Sequence, residues 1–188
     1  MKNFIIILTI IVSFFACQNK FTPKPYGYFR VYLPEHSYRT LDTLNLPYRF
    51  EISRIANVVL HSEKDKENWL DINYPYFNAS IFCSYMPVKN NLLELSEDAR
   101  RYVYKHSVKA DDISEQPYEN SYLKVYGILY DLKGNTASSV QFALTDSTKR
   151  FFRAALYFDN RPNQDSVAPM NDYIRQDIVH LIETFEWK

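Results

Sequence analysis

Four histidines and two cysteines carry most of the reactive potential of this 188-residue chain. His36, His61, His106 and His180 stand far apart, and none has metal-ligand spacing to another, so the sequence offers no metal site. Glu35-His36 and His61-Ser62-Glu63 place carboxylate beside imidazole. Neighbours on an extended chain point to opposite faces, so Glu35 and His36 do not meet if that stretch is extended. His180 falls between the apolar ridges of the last predicted helix and reads as a solvated flank. His106 ends the apolar face of an earlier helix, where the helix C-terminus favours positive charge. With Lys105 and Lys109 it forms a capping cluster or, in a second reading, part of a partner-binding surface. Asp111-Asp112, Asp159 and Asp165 cannot be paired without a fold. His-Glu-x-x-His, Gly-x-Ser-x-Gly and a phosphate-cradling glycine loop are all missing from a chain with three glycines. These patterns name no catalytic residue and no cofactor, and the chain is read as a non-enzyme.

The cysteines divide by setting. One lysine, an apolar run of 13 residues over 4–16 and a small residue before Cys17 spell an export signal. Crossing a hydrocarbon core of about 30 Å takes roughly 20 apolar residues, and this run is shorter. Phe14-Phe15-Ala16-Cys17 is a loose lipobox, with Phe14 where Leu is commoner. It predicts cleavage after residue 16 and lipidation of Cys17. Two or three acyl chains, at about 0.8 kcal/mol per buried methylene, then hold the protein on a membrane. Cys83 is left without a partner, so no disulfide framework is expected. Its run, Ile81-Phe82-Cys83-Ser84-Tyr85, is strand-like, and a buried, inert thiol is the expectation.

The elements that must position these groups follow from periodicity. Residues 18–25, with Pro23 and Pro25, form a short stiff tether after Cys17, and residues 26–188 form one globular domain. Strands are predicted over 28–33, 48–53, 57–61, 69–74, 80–86, 123–131, 138–145 and 151–158. Val140, Phe142 and Leu144 alternate with Gln141, Ala143 and Thr145, as in a half-buried strand. Lys133-Gly134-Asn135 and Asp146-Ser147-Thr148 mark turns of an antiparallel meander. Leu92, Leu95, Ala99, Tyr102, Val103 and His106 stripe a helix reaching about residue 108. Met170, Tyr173, Ile174, Ile178, Leu181, Ile182 and Phe185 stripe a closing helix, with Pro169 near its first turn. Each stripe calls for a sheet face beneath it. The result is an α+β fold: a largely antiparallel sheet with a central and a C-terminal helix packed on it. Its order is similar to the PsbP/Mog1-like sandwich. Charge balances at 22 basic and 22 acidic residues, which argues against nucleic acid as a partner.

Several long strings carry a resemblance to one family. They are Pro23-Lys24-Pro25-Tyr26-Gly27-Tyr28-Phe29-Arg30-Val31, Tyr104-Lys105-His106-Ser107-Val108-Lys109-Ala110-Asp111 and Val125-Tyr126-Gly127-Ile128-Leu129-Tyr130-Asp131. Gly134 to Phe142, Thr145 to Lys149 and the closing Glu183-Thr184-Phe185-Glu186-Trp187-Lys188 extend them. Together they resemble the gliding-motility lipoprotein GldD family of Bacteroidota. The resemblance implies an accessory of gliding that acts beside type IX secretion and adhesin export. It carries over no catalytic residue, only Cys17. Membrane contact through lipid and envelope protein partners follow, and Tyr26 and Arg30 are the candidate partner-binding residues beside His106. No acidic run follows Cys17, so the domain is expected to face the periplasm, on either membrane. Two function classes stay open: a non-catalytic protein-binding accessory, and a small-ligand binder or enzyme acting on peptidoglycan or lipid.

Overall fold

Strict alternation along most strands sorts their side chains onto two faces. The structure, a computed structural model, describes residues 31–42, 45–63, 66–105, 109–159 and 164–188. Strands β1 (Tyr38–Leu41), β2 (Tyr48–Ser53) and β10 (Glu186–Trp187) form a small sheet in the order β1-β2-β10. A seven-stranded sheet takes β3 (Asn57–Leu60), β4 (Leu70–Tyr74), β5 (Ala79–Pro87), β6 (Ala110–Asn120), β7 (Val125–Gly134), β8 (Ser138–Thr145) and β9 (Arg150–Phe158). Its order is β3-β4-β5-β9-β8-β7-β6, and every neighbouring pair is antiparallel. Helix α1 (Leu92–Tyr104) and helix α2 (Gln164–Glu183) complete an α+β fold.

The main core lies on one face of the large sheet. Leu70, Ile72, Ile81, Phe142, Phe152 and Leu156 meet Ile174, Ile178 and Phe185 there, with β2 packed beside them. Its aromatic centre is Tyr48, whose ring lies 4.9 Å edge-on from Phe152 and 5.8 Å from Phe185. The Tyr48 hydroxyl donates to the Asn68 carbonyl at 2.6 Å, so the ring is buried without an orphaned oxygen. Full burial of such a ring contributes about 1.5–3 kcal/mol. The closing segment follows: Trp187 Nε1 donates to the Lys124 carbonyl at 3.1 Å, and Arg49 Nε to Glu186 at 2.9 Å. Gly127 is required where β7 meets β8, since a Cβ would lie 2.1 Å from the Ala143 carbonyl oxygen.

Helix α1 covers part of the opposite face, where Val103 packs on Tyr130 and Leu132. The strand 138–145 is therefore buried more deeply than its alternation predicts: Gln141, expected on a solvated face, is 2% exposed. Three further expectations are corrected. Residues 31–37 form no strand, Tyr28 to Arg30 lie outside the described residues, and the first strand is Tyr38–Leu41. Val31 packs against the core, but Tyr32 is 73% and Leu33 39% exposed, so the run does not alternate as a half-buried strand would. Helix α1 ends at Tyr104 rather than near residue 108. Helix α2 begins at Gln164, which places Pro169 inside it instead of in its first turn.

Candidate functional site

Asp177 sits on the buried stripe of α2, spaced with Tyr173, Ile174, Ile178 and Leu181, and its side chain is 2% exposed. A carboxylate in that position must be satisfied from within. His36 Nδ1 lies 2.7 Å from its Oδ1, and the Tyr38 hydroxyl donates to the same oxygen at 3.1 Å. The Tyr74 hydroxyl donates to Oδ2 at 3.0 Å. A carboxylate only accepts, so the His36 ring carries its proton on Nδ1 in this arrangement. Burial, with Asp177 adding to it, pushes the hydroxyls of Tyr38 and Tyr74 well above the usual tyrosine range and keeps both as neutral donors.

The rings stack around this carboxylate. His36 lies 4.1 Å from Tyr173, and Tyr38 lies 3.6 Å from His180. His180 Nε2 in turn meets Glu51 Oε2 at 2.7 Å. His180 is thus not a solvated flank; it ties α2 to β2. His36 pairs with a residue 141 positions away rather than with Glu35 beside it. The cluster was missed because its members are scattered over four elements. One signal was legible, an acidic residue inside an apolar helical stripe.

A second set of polar groups lies on the far face of the large sheet. There α1 covers the β8–β9 side, and the β3–β5 side is open. Antiparallel register aligns Val59, Asp71, Phe82 and Ala155 as one cross-strand row, and brings Ser84 beside Arg153 in the next. A cavity of about 580 Å³ opens over these rows, walled by Trp69, Phe82, Tyr102 and Tyr157. His61 Nε2 contacts Asp71 Oδ1 at 3.0 Å on one rim. The Arg153 guanidinium lies over the Tyr102 ring, 4.2 Å from its centroid, on the other. Burial lowers the pKa of Arg153, against the pull of Tyr157 and Tyr102. Cys83 contributes to the floor of this cavity, and its thiol is buried, free and pushed well up by desolvation. Arg153 could not have been singled out in sequence, because the position of α1 and its Tyr102 creates its setting.

Of the positions expected to act, Cys17, Tyr26, Arg30 and His106 all lie outside the described residues. Among the described residues no group of three or more His, Cys, Asp or Glu side chains could hold a metal ion. Nor is any described helix long and apolar enough to cross a membrane.

Fold and site together define an α+β sheet-and-helix domain with an inward-turned carboxylate cluster and an aromatic cavity on an open sheet face. No curated protein matches the chain. Cyanobacterial PsbP (CyanoP) from Synechocystis sp. PCC 6803, known from its solution structure, is similar at 12% identity with a TM-score of 0.48. That alignment covers 83% of this chain and 95% of the other. The chain belongs to the gliding motility lipoprotein GldD family, whose profile matches residues 18–187. Membership makes it a gliding-motility lipoprotein, and so a membrane-anchored protein of the cell envelope.

Proposed function

We propose that the protein is a non-catalytic accessory of the gliding apparatus, held to the membrane by lipid on Cys17 and acting through a protein partner. Its role is linked to type IX secretion and adhesin export, and its domain faces the periplasm. The observation that carries this reading is the family match over 18–187, which begins directly after Cys17. The chemistry of the Asp177 cluster agrees with it. Both carboxylate oxygens are engaged by donors from other elements, so the cluster fastens the fold instead of presenting a base.

The test is Cys17→Ala, followed by membrane fractionation, intact-mass analysis, gliding and adhesin export. Unprocessed or unanchored protein with loss of gliding is expected. Wild-type protein without acyl mass, or full gliding from the unanchored variant, removes the anchor from the mechanism. Tyr26→Ala and Arg30→Ala, compared by melting temperature and gliding, locate the partner surface. Lost gliding at unchanged melting places it at these residues, because an exposed substitution usually shifts stability by no more than about 0.5 kcal/mol. Normal gliding in both variants places it elsewhere.

A further inference from the structure

Where the cover of α1 ends and the open half of the large sheet's far face begins, β9 holds a cation with no carboxylate in contact. Among the described residues Arg153 forms no ion pair, whereas its charged neighbours at the cavity are engaged. Lys66 meets Glu63 at 2.7 Å, and Asp71 meets His61. A half-buried guanidinium is costly to hold, and stacking on Tyr102 with the more distant charge of Asp98 offsets only part of that cost. Tyr102 takes one face and one hydrogen bond of the guanidinium, and its remaining N–H donors suit a planar, two-oxygen acceptor.

The walls define the rest of the occupant. Phe82 is 47% exposed although it stands mid-sheet, and its ring lies 5.6 Å from Tyr157. Trp69 is fixed as a wall by donating Nε1 to the Tyr85 carbonyl at 2.9 Å. Cavities of about 300–1,000 Å³ with aromatic walls and a few placed polar groups are the usual form of small-ligand sites. The cavity here, about 580 Å³, falls inside that range. One guanidinium without a carboxylate in contact matches one negative charge. A dianionic phosphate would bring a second charge, while the cavity's other cation, Lys66, is engaged by Glu63 and Asp71 lies across the cavity to repel it.

We propose that this cavity binds a carboxylate carried on an apolar or aromatic body, with Arg153 holding the carboxylate and Phe82, Trp69 and Tyr157 holding the body. The site goes beyond the accessory role proposed above, since it supplies a ligand where that role supplies a protein partner. A carboxylate on Arg153 compensates the buried charge, and the ligand's body covers the exposed ring of Phe82. Binding therefore depends on charge and apolar contact together.

The experiment uses the full lipidated protein in a neutral detergent, titrated by calorimetry with 3-phenylpropanoate, its neutral amide 3-phenylpropanamide, and phenyl phosphate. Saturable binding of the carboxylate is expected, with the amide weaker by about tenfold or more, the effect of one charge-assisted contact. Arg153→Gln should weaken the carboxylate by a similar factor and leave the amide unchanged, and Arg153→Lys should restore part of the loss. Phe82→Asp, at an exposed position, should abolish binding of both while melting normally. Should Arg153→Gln fail to fold, the acid-to-amide ratio in the wild type and the Phe82→Asp result decide alone. Equal binding of acid and amide, unchanged binding in Phe82→Asp, or no binding at all overturns the proposal. Tighter binding of phenyl phosphate than of the carboxylate overturns the choice of carboxylate.

Discussion

Asp177 shows how much one residue can hold together. It accepts from His36, from Tyr38 on β1 and from Tyr74 on β4, and thereby joins the small sheet, the large sheet and α2. Removing the acceptor leaves the buried Tyr74 hydroxyl without a partner, and an unsatisfied buried group costs about 1–3 kcal/mol. Asp177→Ala is expected to lower stability by about 2–3 kcal/mol. Tyr74→Phe should cost only about 1 kcal/mol, since Asp177 keeps its other donors. Urea unfolding of the two variants checks the order. A loss below about 0.5 kcal/mol for Asp177→Ala would mean that the cluster is incidental to the fold. Part of this was legible, because an acid on an apolar stripe is anomalous wherever it occurs. The identity of its donors was not, since hydrogen bonding across 139 and 103 residues depends on how the elements pack.

At the scale of an element, the turn between β8 and β9 was readable in full. Asp146-Ser147-Thr148 is a turn sequence, and the Asp146 carboxylate accepts from the backbone N–H groups of Thr148, Lys149 and Arg150 at 2.9, 2.7 and 2.9 Å. Ser147 takes the positive φ, 64°, that the tight reversal needs. Burial raises the pKa of Asp146, but the three N–H bonds together outweigh it and leave the group below its ordinary value of 3.8. A depressed folded-state pKa contributes stability that is present above the unfolded value and is lost as pH falls through the folded one. Asp146→Ala should therefore cost about 1–2 kcal/mol at pH 7. The gap to wild type should shrink as pH falls below 3.8. Unfolding curves at pH 7 and pH 3 measure it, and a gap independent of pH would assign the loss to packing. Strand β6 was the opposite case. Ala110–Asn120 contains Asp111, Asp112, Glu115 and Pro117, poor strand formers, and no alternation marks it. It is an edge strand formed by pairing with β7 from Ala110 to Asn120, where Pro is tolerated because one side of the ladder is free.

For the whole molecule, anchoring and reach belong together. If Cys17 holds lipid, residues 18–25 are the only chain between the bilayer and the domain expected from residue 26, spanning at most about 3.3–3.6 Å each. The proposed partner would then be met close to the membrane. Replacing 18–25 with another polar linker of equal length should preserve gliding. Inserting a flexible stretch of about 40 residues widens the reach as roughly 5–6 Å × √n and dilutes the domain near a fixed partner, so gliding should fall. Gliding speed and adhesin export, measured with protein levels matched, make the comparison. Full motility with the long insertion would show that the partner is not fixed near the membrane.

By itself the sequence determined the α+β class, both helices, most of the large sheet and the family, because periodicity and unlike residue strings are local properties. Residues 48–53 and 138–145 form strands with the predicted bounds. Tertiary structure decided what local patterns cannot encode. The order β3-β4-β5-β9-β8-β7-β6 places β9 in the middle of the sheet, between β5 and β8, and lays Arg153 in the row next to Phe82. Helix α1 then buries Gln141 and sets Tyr102 over Arg153 while leaving the β3–β5 side open. An arginine on an alternating strand reads as a solvated residue. It becomes a half-buried guanidinium facing a cavity only when a helix far from it in sequence closes over one side.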